Sequence, residues 1–191
     1  MRFSEKVIEV LNFIETNILK HYSAEDVQLF YGDYRRRVEL LSDMLHLTPE
    51  GAKVLDAGSA PCFNSLALSL LGYEVYSLGI NPEPYRATLE KYEVKVIKAD
   101  FENEVIPLED GYIDCIMLAE VLEHLHPYKI PFTLSEMPRV LRVGGILYLT
   151  TPNAVSIGKR IKMLFGLQPV GERYVREYMI KEVITLSNSL S

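Results

Sequence analysis

The sequence predicts an α/β fold, with a mostly parallel sheet covered by helices on both faces and preceded by an N-terminal helical cap. Three observations predict it. Short β-rich runs recur between Val54 and Thr150 with helical or mixed segments between them. The stretch from Lys53 to Leu66, KVLDAGSAPCFNSL, reads as strand, small-residue turn and helix. Ahead of it, apolar residues repeat at helical spacing.

In chain order, Val7, Leu11, Ile14 and Ile18 form the stripe of a first amphipathic helix, with Ser4 as its expected N-cap. After a break near His21 to Ala24, DYRRRVELLSDMLHL predicts another helix, with Val38, Leu41 and Leu45 inward. Its arginine run, Arg35 to Arg37, reads as a solvated face. Thr48-Pro49-Glu50-Gly51 ends the cap. Strands are then expected at Val54 to Ala57, Glu74 to Leu78, Val94 to Lys98, Ile113 to Leu118 and Ile146 to Thr150. Alternation of this kind implies right-handed crossovers and a ligand site beyond the carboxyl ends of the strands. The turn after the first strand aims backbone N–H groups and a helix N-terminus at whatever lies above it, which suits a carboxylate or phosphate.

At 191 residues and 48% hydrophobic content the chain supports one core. The expected organisation is a single domain, 1–191, made of a cap (1–50), a ligand-binding core (51–153) and a short basic tail (154–191). Between Val155 and Glu182, six basic residues face three acidic ones. The formal charge of -6 argues against a general nucleic-acid binder, which needs a surplus of Lys and Arg. Glu5, Lys6, Glu9, Asn12 and Glu15 interrupt every apolar run at the N-terminus, so neither a signal core nor a membrane span is drawn there, and a cytoplasmic location is expected. The two cysteines, Cys62 and Cys115, have neither metal-ligand spacing nor a disulfide pattern.

The segments AEVLEHLHP, RVLRVGGILYL and TTPN, in this order after DAGSAPC, resemble the class I S-adenosylmethionine-dependent methyltransferases from about Val38 to Asn153. The resemblance implies a Rossmann-like sheet, S-adenosylmethionine as cofactor and S-adenosylhomocysteine as product. It implies cofactor contacts at Asp56, Gly58, Ser59 and Ala60 after the first strand, and at Gly79, Ile80 and Asn81 after the second. It extends them to Asp100 and Phe101 after the third, for the adenine, and to Ala119 and Glu120 after the fourth, for the methionyl end. Ala60 and Cys62 stand where the family's second and third glycines are usual, and Gly79 where it places a ribose-binding carboxylate; Asn81 and Glu83 are candidate substitutes.

His124 is a candidate general base, weighed against a loop-shaping role for the Glu-His pair. Tyr31, Tyr34 and Arg35 are candidates to close over the cofactor, and Lys159, Arg160, Arg173 and Arg176 to meet an acidic acceptor. The reaction implied is methyl transfer to an O or N atom of a small-molecule or macromolecular acceptor. The alternative reading, motivated by the substituted positions, is a catalytically silent scaffold or partner subunit. The family's two terminal antiparallel strands have no counterpart in the sequence, so the strand ending at Thr150 is expected at an edge, covered by the tail or by a homo- or hetero-oligomer partner.

Overall fold

The computed structural model describes residues 3–151. Its elements are α1 (Phe3–Asn17), α2 (Ala24–Gly32), α3 (Tyr34–Leu47), β1 (Lys53–Ala57), α4 (Phe63–Leu70), β2 (Glu74–Gly79), α5 (Glu83–Lys91), β3 (Lys95–Lys98), β4 (Ile113–Ala119), α6 (Ile130–Val140) and β5 (Leu141–Thr150). The five strands pair in the order β3-β2-β1-β4-β5, every pair parallel. Strand order reverses between β1 and β4, where the crossovers diverge to opposite faces and leave a crevice at the carboxyl ends.

The two-residue period of a strand divides the core into two layers. Val54, Val75, Cys115 and Met117 point to the face covered by α1, α3 and α4, where Leu11, Phe30, Leu41, Phe63 and Leu66 are buried. Leu55, Tyr76, Ile116 and Leu118 point to the other face, against Ile130, Leu134 and Met137 of α6. Central strands buried on both sides explain why VLDA and CIMLA are nearly continuous apolar runs.

Several expectations change. Ser4 is the second residue of α1 and not its cap. The break near His21 to Ala24 contains a 3-10 turn, Leu19–His21, and then opens α2, whose N-cap Ser23 accepts from the Asp26 N–H at 3.1 Å. The sequence reading passed over α2 because its apolar stripe is short. In α3 the buried stripe is Arg37, Leu41 and Met44, with Val38 and Leu45 half-buried.

Arg37 overturns the solvated reading of the arginine run. It donates to the Phe30 carbonyl and to Asn64 Oδ1, each at 3.0 Å, and its guanidinium lies 5.2 and 5.4 Å from the Phe30 and Phe63 ring centres. These contacts tie the cap to α4, and they offset desolvation of the charge.

β5 begins at Leu141, earlier than the expected Ile146, because α6 runs straight into it and a register irregularity near Ile113 and Cys115 absorbs the mismatch. Gly144, at φ +74, supplies the backbone for that irregularity. Arg139, just before it, donates to the Leu108 and Ile106 carbonyls and pairs with Glu136 and Asp110, holding the loop that feeds β4. Among the described residues β5 is an edge strand. The expected tail, its basic residues and the question of further strands lie outside the described residues.

Candidate functional site

A cleft of about 940 Å³ lies over the carboxyl ends of the strands, at the point of order reversal. Its floor comes from Asp56, Gly58, Ser59 and Ala60 after β1. Gly79, Ile80 and Asn81 after β2, Asp100 and Phe101 after β3, Ala119 and Glu120 after β4, and His124 complete the set named from the sequence. The structure brings all of them to one cavity. Tyr31, Tyr34 and Arg35 are not among its lining; they bond instead to Glu15, Asn12 and Glu39. Glu83 is also outside it, paired with Arg86 at 2.9 Å.

The turn after β1 uses its polar groups differently from a simple anion seat. The N–H groups of Gly58 and Ser59 donate to the Leu78 carbonyl at 2.9 and 3.2 Å, pinning the turn to β2. At the start of α4, Ser65 donates from Oγ to Asp56 at 2.5 Å, and its backbone N–H also serves that carboxyl. The first strand thus caps the helix that follows it. Burial pushes the Asp56 carboxyl up to about 7, against the opposing effect of the Ser65 bonds and of Arg37.

Close packing dictates two small residues. A Cβ on Gly58 would lie 2.7 Å from Val121 Cγ2, and its φ is +77. Cys62 adopts φ 67, the left-handed region a glycine fills without strain, and its buried thiol sits 3.5 Å from Ser59 Oγ and 3.8 Å from Ser77 Oγ. Small hydroxyl side chains therefore make the room for the extra sulfur. Burial pushes that thiol up to about 11, so it is a packing group and not a nucleophile. Both cysteines are unpaired.

Gly79 is open: a Cβ there would meet nothing nearer than Ser59 Oγ at 4.0 Å. Asp100 closes the turn after β3, accepting from the Glu102 N–H at 3.2 Å and from Asn103 Nδ2 at 2.8 Å. Both readings of this aspartate, turn residue and cleft residue, hold together, since a carboxylate has lone pairs for more than two donors.

The opposite wall was largely missed. Arg36, Glu39 and Asp43 of α3 line the cleft with Glu123, Tyr148 and Thr151. Arg36 pairs with Glu120 at 2.8 Å, and Tyr148 donates to Asp43 at 2.8 Å, so two contacts join the cap to the ends of β4 and β5. The signal was present in the sequence: Arg36, Glu39 and Asp43 recur at helical spacing on the side opposite Leu41 and Met44. Glu123 is 0% exposed. Its Oε2 accepts from Thr151 at 3.2 Å, while Oε1 has no partner. Desolvation, reinforced by the Glu120 charge, pushes this carboxyl up to about 7.

Residues 55–149 match a family profile described as a methyltransferase domain. The chain is 30% identical over 107 residues to an uncharacterized methyltransferase of Mycobacterium sp. (strain KMS), covering 54% of this chain and 40% of that one. It is 29% identical over 151 residues to a ubiquinone biosynthesis O-methyltransferase of Xanthomonas axonopodis pv. citri, covering 76% and 58%. The chain spans about half the length of these curated relatives. The crystal structure of a SAM-dependent methyltransferase from Aquifex aeolicus superposes with a TM-score of 0.61 at 25% identity, covering 81% of this chain and 78% of that one.

Proposed function

Residues 55–149 match a methyltransferase-domain profile, and on that basis we propose that this protein is a class I S-adenosylmethionine-dependent methyltransferase that transfers the methyl group of S-adenosylmethionine to an O or N atom of an acceptor. The observation that carries the reading is the convergence of four strand ends on one cleft with a side-chain-free floor at Gly58.

The residues present fit the cofactor. The cleft volume, about 940 Å³, lies in the range of small-molecule sites. Gly58 lets the backbone approach the methionyl part, with Ala119 and Glu120 facing it across the cleft. Asp100 would accept from the adenine amino group, and the backbone N–H of Phe101 would serve a ring nitrogen. Gly79, Ile80 and Asn81 border the ribose, where the open space at Gly79 replaces the family's carboxylate. When bound, S-adenosylmethionine supplies an electrophilic methyl group on a cationic sulfonium.

The protein's own task is then to align the acceptor and exclude water. The cap does this from the far wall, held by the Arg36–Glu120 and Tyr148–Asp43 contacts. His124 lines the cleft, whereas His126 is engaged with Glu102 through both its N–H and its ring. We propose a cytoplasmic location, supported by the two unpaired thiols. Calorimetric titration with S-adenosylmethionine and S-adenosylhomocysteine tests the proposal. Saturable binding of both is expected, and no heat from either at millimolar ligand would sink it.

A further inference from the structure

The cleft has a second half, beyond the residues proposed for the cofactor, between α3 and the ends of β4 and β5. Five carboxyls line it, Asp33, Glu39, Asp43, Glu120 and Glu123, against two guanidiniums, Arg36 and Arg37. Arg37 is committed to the Phe30 carbonyl and Asn64, and Arg36 is paired with Glu120. Burial raises Glu120 against the Arg36 charge, with a smaller contribution from the Asp33 charge, and burial followed by the Glu120 charge raises Glu123. Glu39 is paired with Arg35 outside the lining, and the surplus of negative charge that remains attracts the opposite sign and repels its own.

Independently, Glu123 carries an oxygen with no hydrogen-bond partner although the residue is fully buried at the cleft wall. An unsatisfied buried acceptor is costly, and a bound group with N–H donors removes that cost. A carboxylate or phosphate has no donor to offer and would meet repulsion from the surrounding acids. An ammonium has three donors and the complementary charge.

Building on the methyl-transfer reading, we propose that the acceptor is an organic amine, held by the acidic wall with its nitrogen at Glu123 Oε1. The ammonium first gives a proton to the Glu123 carboxylate. The freed nitrogen lone pair then forms the new N–C bond as the carbon–sulfur bond breaks and its electron pair goes to sulfur. The methylated nitrogen leaves as a cation or passes one of its two remaining protons to solvent, and Glu123 releases the proton it took to solvent before the next turnover.

Three probes of one skeleton and different charge test this: tyramine, 4-ethylphenol and 4-hydroxyphenylacetate, titrated into the whole chain saturated with S-adenosylhomocysteine. Tyramine is expected to bind at least about tenfold more tightly than 4-hydroxyphenylacetate, with 4-ethylphenol between them. Glu123→Gln is expected to weaken tyramine by about tenfold, and Asp43→Asn, at an exposed position that leaves the core intact, by a smaller factor in the same direction. The S-adenosylhomocysteine titration on each variant reports whether the fold survives. Equal binding of the three probes, no binding of any, or preference for the acid overturns the amine assignment while leaving methyl transfer standing. Failure of S-adenosylhomocysteine itself to bind overturns the methyl-transfer reading and this one with it.

Discussion

Replacing Gly58 with alanine separates two costs that the structure predicts will add. The first is conformational: at φ +77 a side chain crowds the following carbonyl, for about 1–2 kcal/mol. The second is steric: the new Cβ would lie 2.7 and 3.1 Å from the two Val121 methyls. Valine is stiff at χ1 and Val121 is buried, so it cannot swing aside and the turn or the strand end must move, for roughly 1–3 kcal/mol. Gly51 is the internal control, since its φ is +75 and nothing lies within 4 Å of its would-be Cβ. Urea unfolding followed by circular dichroism should therefore place Gly58→Ala about 1–3 kcal/mol below Gly51→Ala. Affinity for S-adenosylhomocysteine should fall only for Gly58→Ala, because only that turn borders the proposed site. Equal stability of the two variants, or cofactor affinity lost equally in both, refutes the packing argument.

Three other perturbations address the remaining features. The Asp56 carboxyl is raised from 3.8 to about 7, so the folded state keeps a proton that the unfolded chain has released; this contribution is fully present below about pH 4 and is lost as pH rises to about 7. Asp56→Asn, which mimics the protonated form, should flatten that part of the pH–stability curve by a few kcal/mol, on the order of 1.4 kcal/mol per pH unit, as measured by urea unfolding from pH 4 to 8; an unchanged slope contradicts it. Arg37→Leu should cost about 2 kcal/mol by leaving the Phe30 carbonyl without its donor, whereas Arg35→Ala on the exposed side of the same helix should stay within about 0.5 kcal/mol. Gly79→Asp, into open space, should tighten S-adenosylhomocysteine by about tenfold in calorimetry through the restored ribose hydrogen bonds, and no change would remove the ribose from that strand end.

The sheet was legible because its signals are local. The runs VLDA and CIMLA have no reading except as central strands, and the turn between Ala57 and Phe63 announces itself in small residues. The half of the cleft where the cofactor is proposed was legible for the same reason, since each residue lining it sits at a strand end. What stayed hidden depends on contacts between segments far apart in the chain. Helical spacing puts Arg37 on the stripe of Leu41 and Met44, but the partners that let a guanidinium be buried there lie elsewhere in the chain: Phe30, on another helix, and Asn64 beyond β1. The acidic wall draws on Asp33 ahead of α3, on α3 itself and on the turn after β4, and becomes a single surface only after folding. Cys62 read as a misfit in a glycine position because the room made for it by Ser59 and Ser77 comes from the same turn and a separate strand.

The most direct test of the central claim is a crystal structure of the whole chain grown with S-adenosylhomocysteine. The account predicts density for the ligand across the strand ends, with adenine at Asp100 and Phe101, ribose at Gly79 and Asn81, and the homocysteine end above Gly58. A cleft without ligand density at millimolar concentration, or ligand bound elsewhere on the molecule, would contradict it.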